Sequence, residues 1–241
     1  SLEQKKSFFF LSFAKIISYI AYNFATIINL ATDEDKNFVV NTFNTSPTKI
    51  LIKPNWVDTD KFKPLNVKKN KSILLVGRLE KQKNYQLIVN SILNLKISLV
   101  VIGNGTQKKE LEELASKKNV NISFLKNISN ENMPLHYNKH LIYVMCSKYE
   151  GNPKSLLEAM ACGSAVIGTD VTGIKNILKT NNNGLLIKES TKELNSKIKL
   201  LINDLSLRKK ISRNARKYIV NNNSLKSSIE NEYKIYGLLI K

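Results

Sequence analysis

Glu150 and Glu158 bracket the stretch Glu150-Gly151-Asn152-Pro153-Lys154-Ser155-Leu156-Leu157-Glu158, which predicts a strand end, a tight glycine turn and a helix opened by proline. Pro153 suits a first helical position, because its φ is already helical and its absent N–H would go unpaired there. The free amides that follow lie at the positive end of the helix dipole and favour an anion such as a diphosphate. Glu158 falls further along the same helix, roughly 7.5 Å from the tip at the α-helical rise. That separation lets a carboxylate reach ribose hydroxyls while phosphates occupy the tip. The chemistry these residues suit is recognition of a nucleoside diphosphate.

A second set of candidates precedes it. Leu75-Val76-Gly77-Arg78-Leu79 ends a predicted strand, and Lys83-Asn84 opens the next helix. Gly77 allows close backbone approach to a ligand. Arg78 and Lys83 bring two cations to the carboxyl edge of a sheet, where ligands of open α/β folds bind. Preplaced cations there stabilise the charge that develops on a departing nucleoside diphosphate without needing a metal. Gly103-Asn104-Gly105 follows the next strand, but Lys108 stands where a dinucleotide fingerprint needs a third glycine, so a nicotinamide role is disfavoured. Gly103 and Gly105 are expected to shape a turn flanking the cleft. Asp33-Glu34-Asp35 reads as a capped helix start after Thr32, and Asp58 and Asp60 fall in a polar stretch, so no metal site is predicted. His136 and His140 have no nucleophile elbow near them and are expected to be structural. Cys146 and Cys162 lack a redox or zinc spacing and are expected to be small buried residues, which suits a reducing cytoplasm.

The elements that must position these residues alternate. From Lys71, strands are predicted at Ser72–Val76, Ile97–Ile102, Val120–Leu125, Leu141–Met145, Ala165–Gly168 and Gly184–Ile187. Helices are predicted at Tyr85–Leu93, Lys108–Lys117, Asn130–Tyr137 and Pro153–Ala161, with more helices to the end. Continuous apolar strands alternating with helices imply an α/β fold, a Rossmann-like doubly wound parallel sheet with extra carboxyl-terminal helices. Residues 1–53 hold too few elements for a covered sheet and are expected to be the tail of another, amino-terminal domain. Residues 54–70 are expected to be the linker, 71–220 the ligand-binding domain and 221–241 a terminal helix.

Composition narrows the function classes. The chain carries 38 Lys and Arg against 19 Asp and Glu, a formal charge of +19, with 42% hydrophobic residues. Arg78, Arg208, Arg213 and Arg216 are its arginines, and lysine is scattered along the whole length. Nucleic-acid surfaces favour clustered arginine, so no nucleic-acid partner is predicted. Phe8 to Leu30 is apolar but interrupted by Lys15, Asn23 and Asn29, whereas a membrane span needs about 20 apolar residues. A helix to about Tyr22 and a short strand Ala25–Ala31 are expected instead. Lys5, Lys6 and Lys15 would allow peripheral contact with an anionic membrane face.

Taken in order, Gly77-Arg78-Leu79 with Lys83, Gly103-Asn104-Gly105, Ser147, Glu150-Gly151-Asn152-Pro153 and Glu158-Ala159-Met160-Ala161-Cys162-Gly163 resemble the carboxyl-terminal donor domain of glycosyltransferase family 4, the group 1 retaining transferases of GT-B fold. The likeness runs over roughly residues 48–220 and extends to Pro54-Asn55-Trp56-Val57-Asp58, where Trp56 stands in place of the commoner glycine. It implies that Arg78 and Lys83 hold the diphosphate, that Glu158 binds the ribose and that Glu150 lies near the transferred sugar as a positioning or charge-stabilising group. Gly77, Gly103 and Gly105 would border the donor. The turn of Gly151, Asn152, Pro153 and Lys154, continued by Ser155 and Leu156, would contact sugar hydroxyls or phosphate, and Leu125 and Lys126 would line the base pocket. It implies a nucleoside-diphosphate sugar donor, a saccharide or lipid-linked saccharide acceptor and no bound cofactor or metal. The site of action would be the cytoplasm, at the inner face of the cell membrane. In that family an amino-terminal domain supplies the acceptor site, so transfer is expected to need a separate polypeptide carrying it. A non-catalytic nucleotide-sugar-binding or scaffold module is the alternative.

Overall fold

The structure, a computed structural model, describes residues 2–239; Ser1 and residues 240–241, at the outer ends of the predicted terminal segments, lie outside the described residues. It divides into two units, Ser1–Pro54 and Asn55–Lys241. In the first, α1 (Leu2–Phe24) leads through β1 (Ile28–Leu30) and α2 (Asp33–Phe43) to β2 (Ile50–Ile52), which pairs in parallel with β1. Thr32 caps α2 by accepting the Asp35 N–H at 3.1 Å, and Asp33, Glu34 and Asp35 place negative charge at the positive end of the helix. Asn44 ends it in the left-handed conformation at φ 49°. Ile28, Val39, Phe43 and Ile50 form the small core of this unit. Phe13, Ile16, Ile17, Tyr19 and Ile20 on α1 are exposed, while the side chains of Lys5 and Lys6 lie outside the described set. No described helix is long and apolar enough to cross a membrane.

The second unit runs β3 (Asn70–Val76), α3 (Tyr85–Ser91), β4 (Ser98–Ile102), α4 (Lys108–Lys117), β5 (Ile122–Leu125), α5 (Met133–Lys139), β6 (His140–Met145) and α6 (Lys154–Ala161). Then come β7 (Ala165–Thr169), α7 (Thr172–Lys175), β8 (Leu185–Ile187), α8 (Thr191–Asn203), α9 (Leu205–Asn222) and α10 (Leu225–Leu239). Six strands form one sheet in the order β5-β4-β3-β6-β7-β8, with every neighbouring pair parallel. Successive side chains point to opposite faces. Ile73, Leu75, Ile142, Val144 and Ile167 therefore join one core with Ile88, Leu111, Leu194 and Ile198 from α3, α4 and α8. Leu74, Tyr143, Met145 and Val166 join the other with Tyr137, Leu156, Met160, Ala215 and Ile219 from α5, α6 and α9. Both faces are covered, which explains strands that read as unbroken apolar runs.

Three local readings change. Residues 54–70 look like a polar linker, yet Val57 and Phe62 are buried in the second core, with Phe62 6.2 Å from the Tyr137 ring and Val57 bridged to Ser224. Their polar neighbours hide two anchoring side chains. The short helix α7 was not predicted, because four residues are too few to show periodicity. Pro153 is the N-cap of α6, with φ −76° and ψ 101°, and the helix itself starts at Lys154.

Chain order reverses between β3 and β6, so the loops leaving these two strands turn away to opposite faces and leave a crevice at their carboxyl ends. At the other end of the same strand pair, His140 is buried with Nδ1 2.6 Å from Ser72 Oγ. Burial, aided by the neighbouring charges of His136, Lys69 and Lys139, lowers its pKa to about 4. The neutral ring is thus favoured in the fold, and its stabilising contribution is complete above the ordinary histidine pKa near 6.5 and is lost as pH falls toward 4. Urea titrations of wild type and His140→Gln should diverge over this window, wild type losing on the order of 3 kcal/mol more; parallel pH profiles would contradict it.

Candidate functional site

The crevice is walled first by backbone. Gly77 N–H donates to Ile102 O at 3.0 Å, Leu79 N–H to Asn104 O at 2.8 Å, and Gly103 N–H to Leu125 O at 3.2 Å, stitching together the loops after β3, β4 and β5. This approach is so close that a Cβ on Gly103 (φ +151°) would lie 2.0 Å from Gly77 O. Glycine is therefore required there by contact as well as by dihedral. Gly105 meets Leu79 in the same way. The structure thus brings Gly77, Gly103, Gly105 and Leu125 together, with Lys126 exposed just beyond β5.

Across the crevice, Lys83 Nζ donates to Glu150 Oε1 at 2.5 Å, and Ser147 Oγ donates to the same oxygen at 2.6 Å. Both members of the ion pair are largely buried. Gln82 and Lys148 secure the two loops: Gln82 Nε2 donates to Tyr149 O at 2.9 Å and Lys148 N–H to Gln82 O at 2.8 Å. Thr169, at the end of β7, donates to Ser147 O at 2.6 Å. Gly173 N–H donates to Glu150 O at 3.1 Å, and any Cβ at Gly173 would fall 2.2 Å from the carbonyls of Glu150 and Gly151. Arg78 projects from the β3 loop as an exposed cation.

At the tip of α6, Leu156 and Leu157 N–H groups turn back to Pro153 O, leaving the amides of Lys154 and Ser155 without a described backbone partner. Gly151 is exposed, whereas Leu156 is fully buried and can offer a ligand no side-chain contact. The turn is held from outside by Asn55 Nδ2, which donates to Asn152 O at 2.5 Å, and by Lys154 Nζ lying 5.5 Å from the Trp56 ring centre. Tyr143 fixes Ser155 through a 3.0 Å hydroxyl contact.

Glu158 points into the second core and accepts a hydrogen bond from Tyr137 OH at 2.9 Å. Desolvation raises its pKa, against the opposing effects of the Tyr137 hydroxyl and the Lys154 and Lys61 charges. Glu150 and Glu158 are therefore in different electrostatic settings: one carboxylate is met by a lysine, the other by a neutral phenol. Burial pushes the thiols of Cys146 and Cys162 up to about 12, which keeps both as unreactive thiols. Tyr137, Thr169 and Gly173 support the site without being site candidates from sequence, and Asn55 enters the sequence reading only within the Pro54–Asp58 likeness. Only Gly173, in a Thr-Gly turn after a strand, carried a local signal.

Comparisons with known proteins give a consistent picture. Residues 57–218 match the family model described as glycosyl transferases group 1. A Campylobacter jejuni relative is 30% identical over 207 residues, covering 76% of this chain and 56% of its own length; it is named N-acetylgalactosamine-N,N'-diacetylbacillosaminyl-diphospho-undecaprenol 4-alpha-N-acetylgalactosaminyltransferase. The carboxyl-terminal domain of a group 1 glycosyl transferase (LpcC) from Francisella tularensis is 28% identical, with TM-score 0.64, over 70% of this chain and 99% of that one. HepE of Anabaena, solved with UDP and glucose, shares the fold at TM-score 0.83 and 16% identity over 92% of this chain and 66% of that one. The chain spans 56–64% of the length of the curated relatives it matches first.

The buried Glu158 has a measurable cost. A carboxyl whose folded pKa is raised stabilises the fold only while protonated, and that contribution is lost as pH rises through the raised value. Glu158→Gln keeps an acceptor for Tyr137 without the charge. Thermal melts at neutral pH should show a higher Tm for the variant than for wild type, each kcal/mol gained being worth about 2–4 °C in a domain of this size. The gain should vanish near pH 4; a lower Tm for the variant at neutral pH would sink the interpretation.

Proposed function

The chain belongs to the glycosyl transferases group 1 family, and from that premise we propose that its second unit is the donor-binding part of a retaining transferase that takes a sugar from a nucleoside diphosphate. The observation carrying this reading is the Lys83–Glu150 pair at the sheet's switch point, beside the open amide tip of α6. A diphosphate entering the crevice would meet Lys83, the exposed Arg78 and the amides of Lys154 and Ser155. As the bond between sugar and diphosphate breaks, negative charge grows on the leaving phosphate, and these groups would stabilise it. Lys83 would then leave Glu150 for the phosphate. Glu150, still held by Ser147, would turn its acceptor oxygens to the sugar and favour the positive charge developing at the anomeric carbon.

Glu158 would take the ribose hydroxyls, in part exchange for Tyr137. Gly77, Gly103 and Gly105 would let the donor lie against backbone, while Leu125 and Lys126, at the outer end of the crevice, would border the base. Gly151 and Asn152 would present backbone to the sugar, with Pro153 and Leu156 shaping the turn from beneath. The named acceptor of the C. jejuni relative is an undecaprenol diphosphate-linked saccharide. It favours a lipid-linked or polysaccharide acceptor here, used at the cytoplasmic face of the cell membrane. Because the matched relatives are longer, acceptor binding and complete transfer are assigned to the donor unit acting with an acceptor-side domain.

Calorimetric titration with uridine and guanosine diphosphates and their hexose conjugates tests the reading. One of the bases should bind saturably, and Arg78→Ala and Glu158→Ala should each weaken it roughly 10- to 100-fold, the range for losing a charged hydrogen bond. Glu158→Gln should lose affinity while gaining stability, a split that a purely structural carboxylate cannot produce. Absence of binding by the folded wild-type chain would refute the donor site.

A further inference from the structure

The amino-terminal end of the sheet holds a second recess, of about 460 Å³. Lys69 precedes β3, Leu141 lies at the start of β6 and Gly163 precedes β7, whereas the donor crevice lies beyond the opposite ends of the same parallel strands. The two sites are therefore separated by the length of the strands. Its other wall is one face of α9, on which residues 205, 208, 209, 212, 213 and 216 recur at helical spacing.

Five cations line it: Lys69, Arg208, Lys209, Arg213 and Arg216. Three of the chain's four arginines are thus gathered on one helix face around one cavity. No carboxylate lines the recess, and no salt bridge reaches any of the five among the described residues. Three are anchored on carbonyls. Arg216 Nη1 donates to Phe62 O at 2.6 Å and Ala161 O at 3.0 Å, and its Nη2 to Thr59 O at 2.9 Å. Arg208 donates to Leu201 O and Ile202 O, and Lys69 Nζ to Asn138 O at 3.0 Å. Carbonyls orient these groups but do not neutralise them. Burial lowers the pKa of Arg208 and Arg216, opposed mainly by Asp204 for the first and by Cys162 and Asp60 for the second. Lys209 and Arg213 are exposed at the rim, and their side chains have no hydrogen-bond partner among the described residues.

Between the cations the walls are apolar: Pro64, Leu141 and Leu205, with Gly163 leaving room where a Cβ would press on Pro64 at 3.3 Å. A bare phosphate would satisfy the charges and leave this surface wet, and an uncharged apolar molecule would do the reverse. We propose that the recess binds a phosphate ester carrying an apolar chain, the ester oxygens meeting the guanidinium groups and the chain lying along Pro64, Leu141 and Leu205. Arginine forks match phosphate oxygens in number and plane.

Octyl phosphate, inorganic phosphate and octyl glucoside, titrated into the full chain already saturated with nucleoside diphosphate, test this. Octyl phosphate should bind saturably, at least roughly tenfold tighter than either half-probe, and Lys209→Glu combined with Arg213→Glu should abolish the difference. Both side chains are exposed and unpartnered, so the double variant should keep the wild-type melt. Ser212→Leu, which fills the recess without changing charge, gives an independent arm and should weaken binding as well. Sedimentation with phosphatidylcholine vesicles, with and without phosphatidic acid, separates the sources: charge-dependent capture lost in the double variant identifies a bilayer headgroup, and octyl phosphate binding without capture identifies a free ester. Equal affinity for octyl phosphate and octyl glucoside, or for wild type and the double variant, would overturn the site. Neither result bears on the donor crevice, which Arg78→Ala reports separately.

Discussion

The Lys83–Glu150 ion pair spans the one place where the chain reverses its direction of winding, and the arrangement of the cleft depends on that contact. An ion pair this far from water is worth having only when its remaining acceptor and donor capacity is met, since desolvation otherwise outweighs the attraction. Ser147 supplies a second donor to the same carboxylate oxygen, Thr169 fixes Ser147 by its carbonyl, and Gly173 fixes the Glu150 backbone. These groups come from three strand ends: Lys83 follows β3, Ser147 and Glu150 follow β6, and Thr169 and Gly173 belong to β7 and the helical turn after it. The pair therefore ties the register of β3, β6 and β7 together, and holds a cation and a carboxylate largely out of bulk water.

The two carboxylates illustrate how one helix and its entry turn can create unlike environments. Glu150 precedes the turn and is matched with charge; Glu158 lies further along the helix and is matched with a phenol. Two other breaches of local satisfaction occur in the same region. Tyr85 OH, beside Gly77, and Asn152 Oδ1, in the turn before α6, are buried without a hydrogen-bond partner among the described residues, as is Thr45 Oγ1 in the first unit. Unpaired buried polar atoms cost free energy and are rare. Two of these three atoms border the crevice.

The parts of this arrangement visible in sequence were those governed by local chemistry. Gly77, Gly103 and Gly105 are legible because φ near +150° with such close contact admits no Cβ, and the alternation of apolar runs reveals a covered parallel sheet. What stayed hidden depends on distance in the chain. Tyr137 meets Glu158 from another helix, and Asn55 holds Asn152 from nearly a hundred residues away. Val57 and Phe62 sit in a polar, proline-bearing stretch whose average character conceals two core side chains. Pro153 was placed one residue too far into its helix, because proline favours both the cap and the first turn and only ψ separates them.

Charge gives the sharpest case of a property invisible to counting. Four arginines among so many lysines look like scatter along the chain, yet Arg208, Arg213 and Arg216 share a helix face, and the fold brings Lys69, just before β3 and far off in sequence, to join them. Arg216 holds the entry segment to the carbonyl end of α6, and Arg208 satisfies the last carbonyls of α8, so part of this cluster is structural. Lys209 and Arg213 do neither. A protein gains nothing in stability from adding like charges beside cations already short of solvent, since each addition raises the repulsion. The unpartnered pair is thus the portion of the cluster that folding does not explain, and it is the portion that faces the rim, where an incoming anion would first be met.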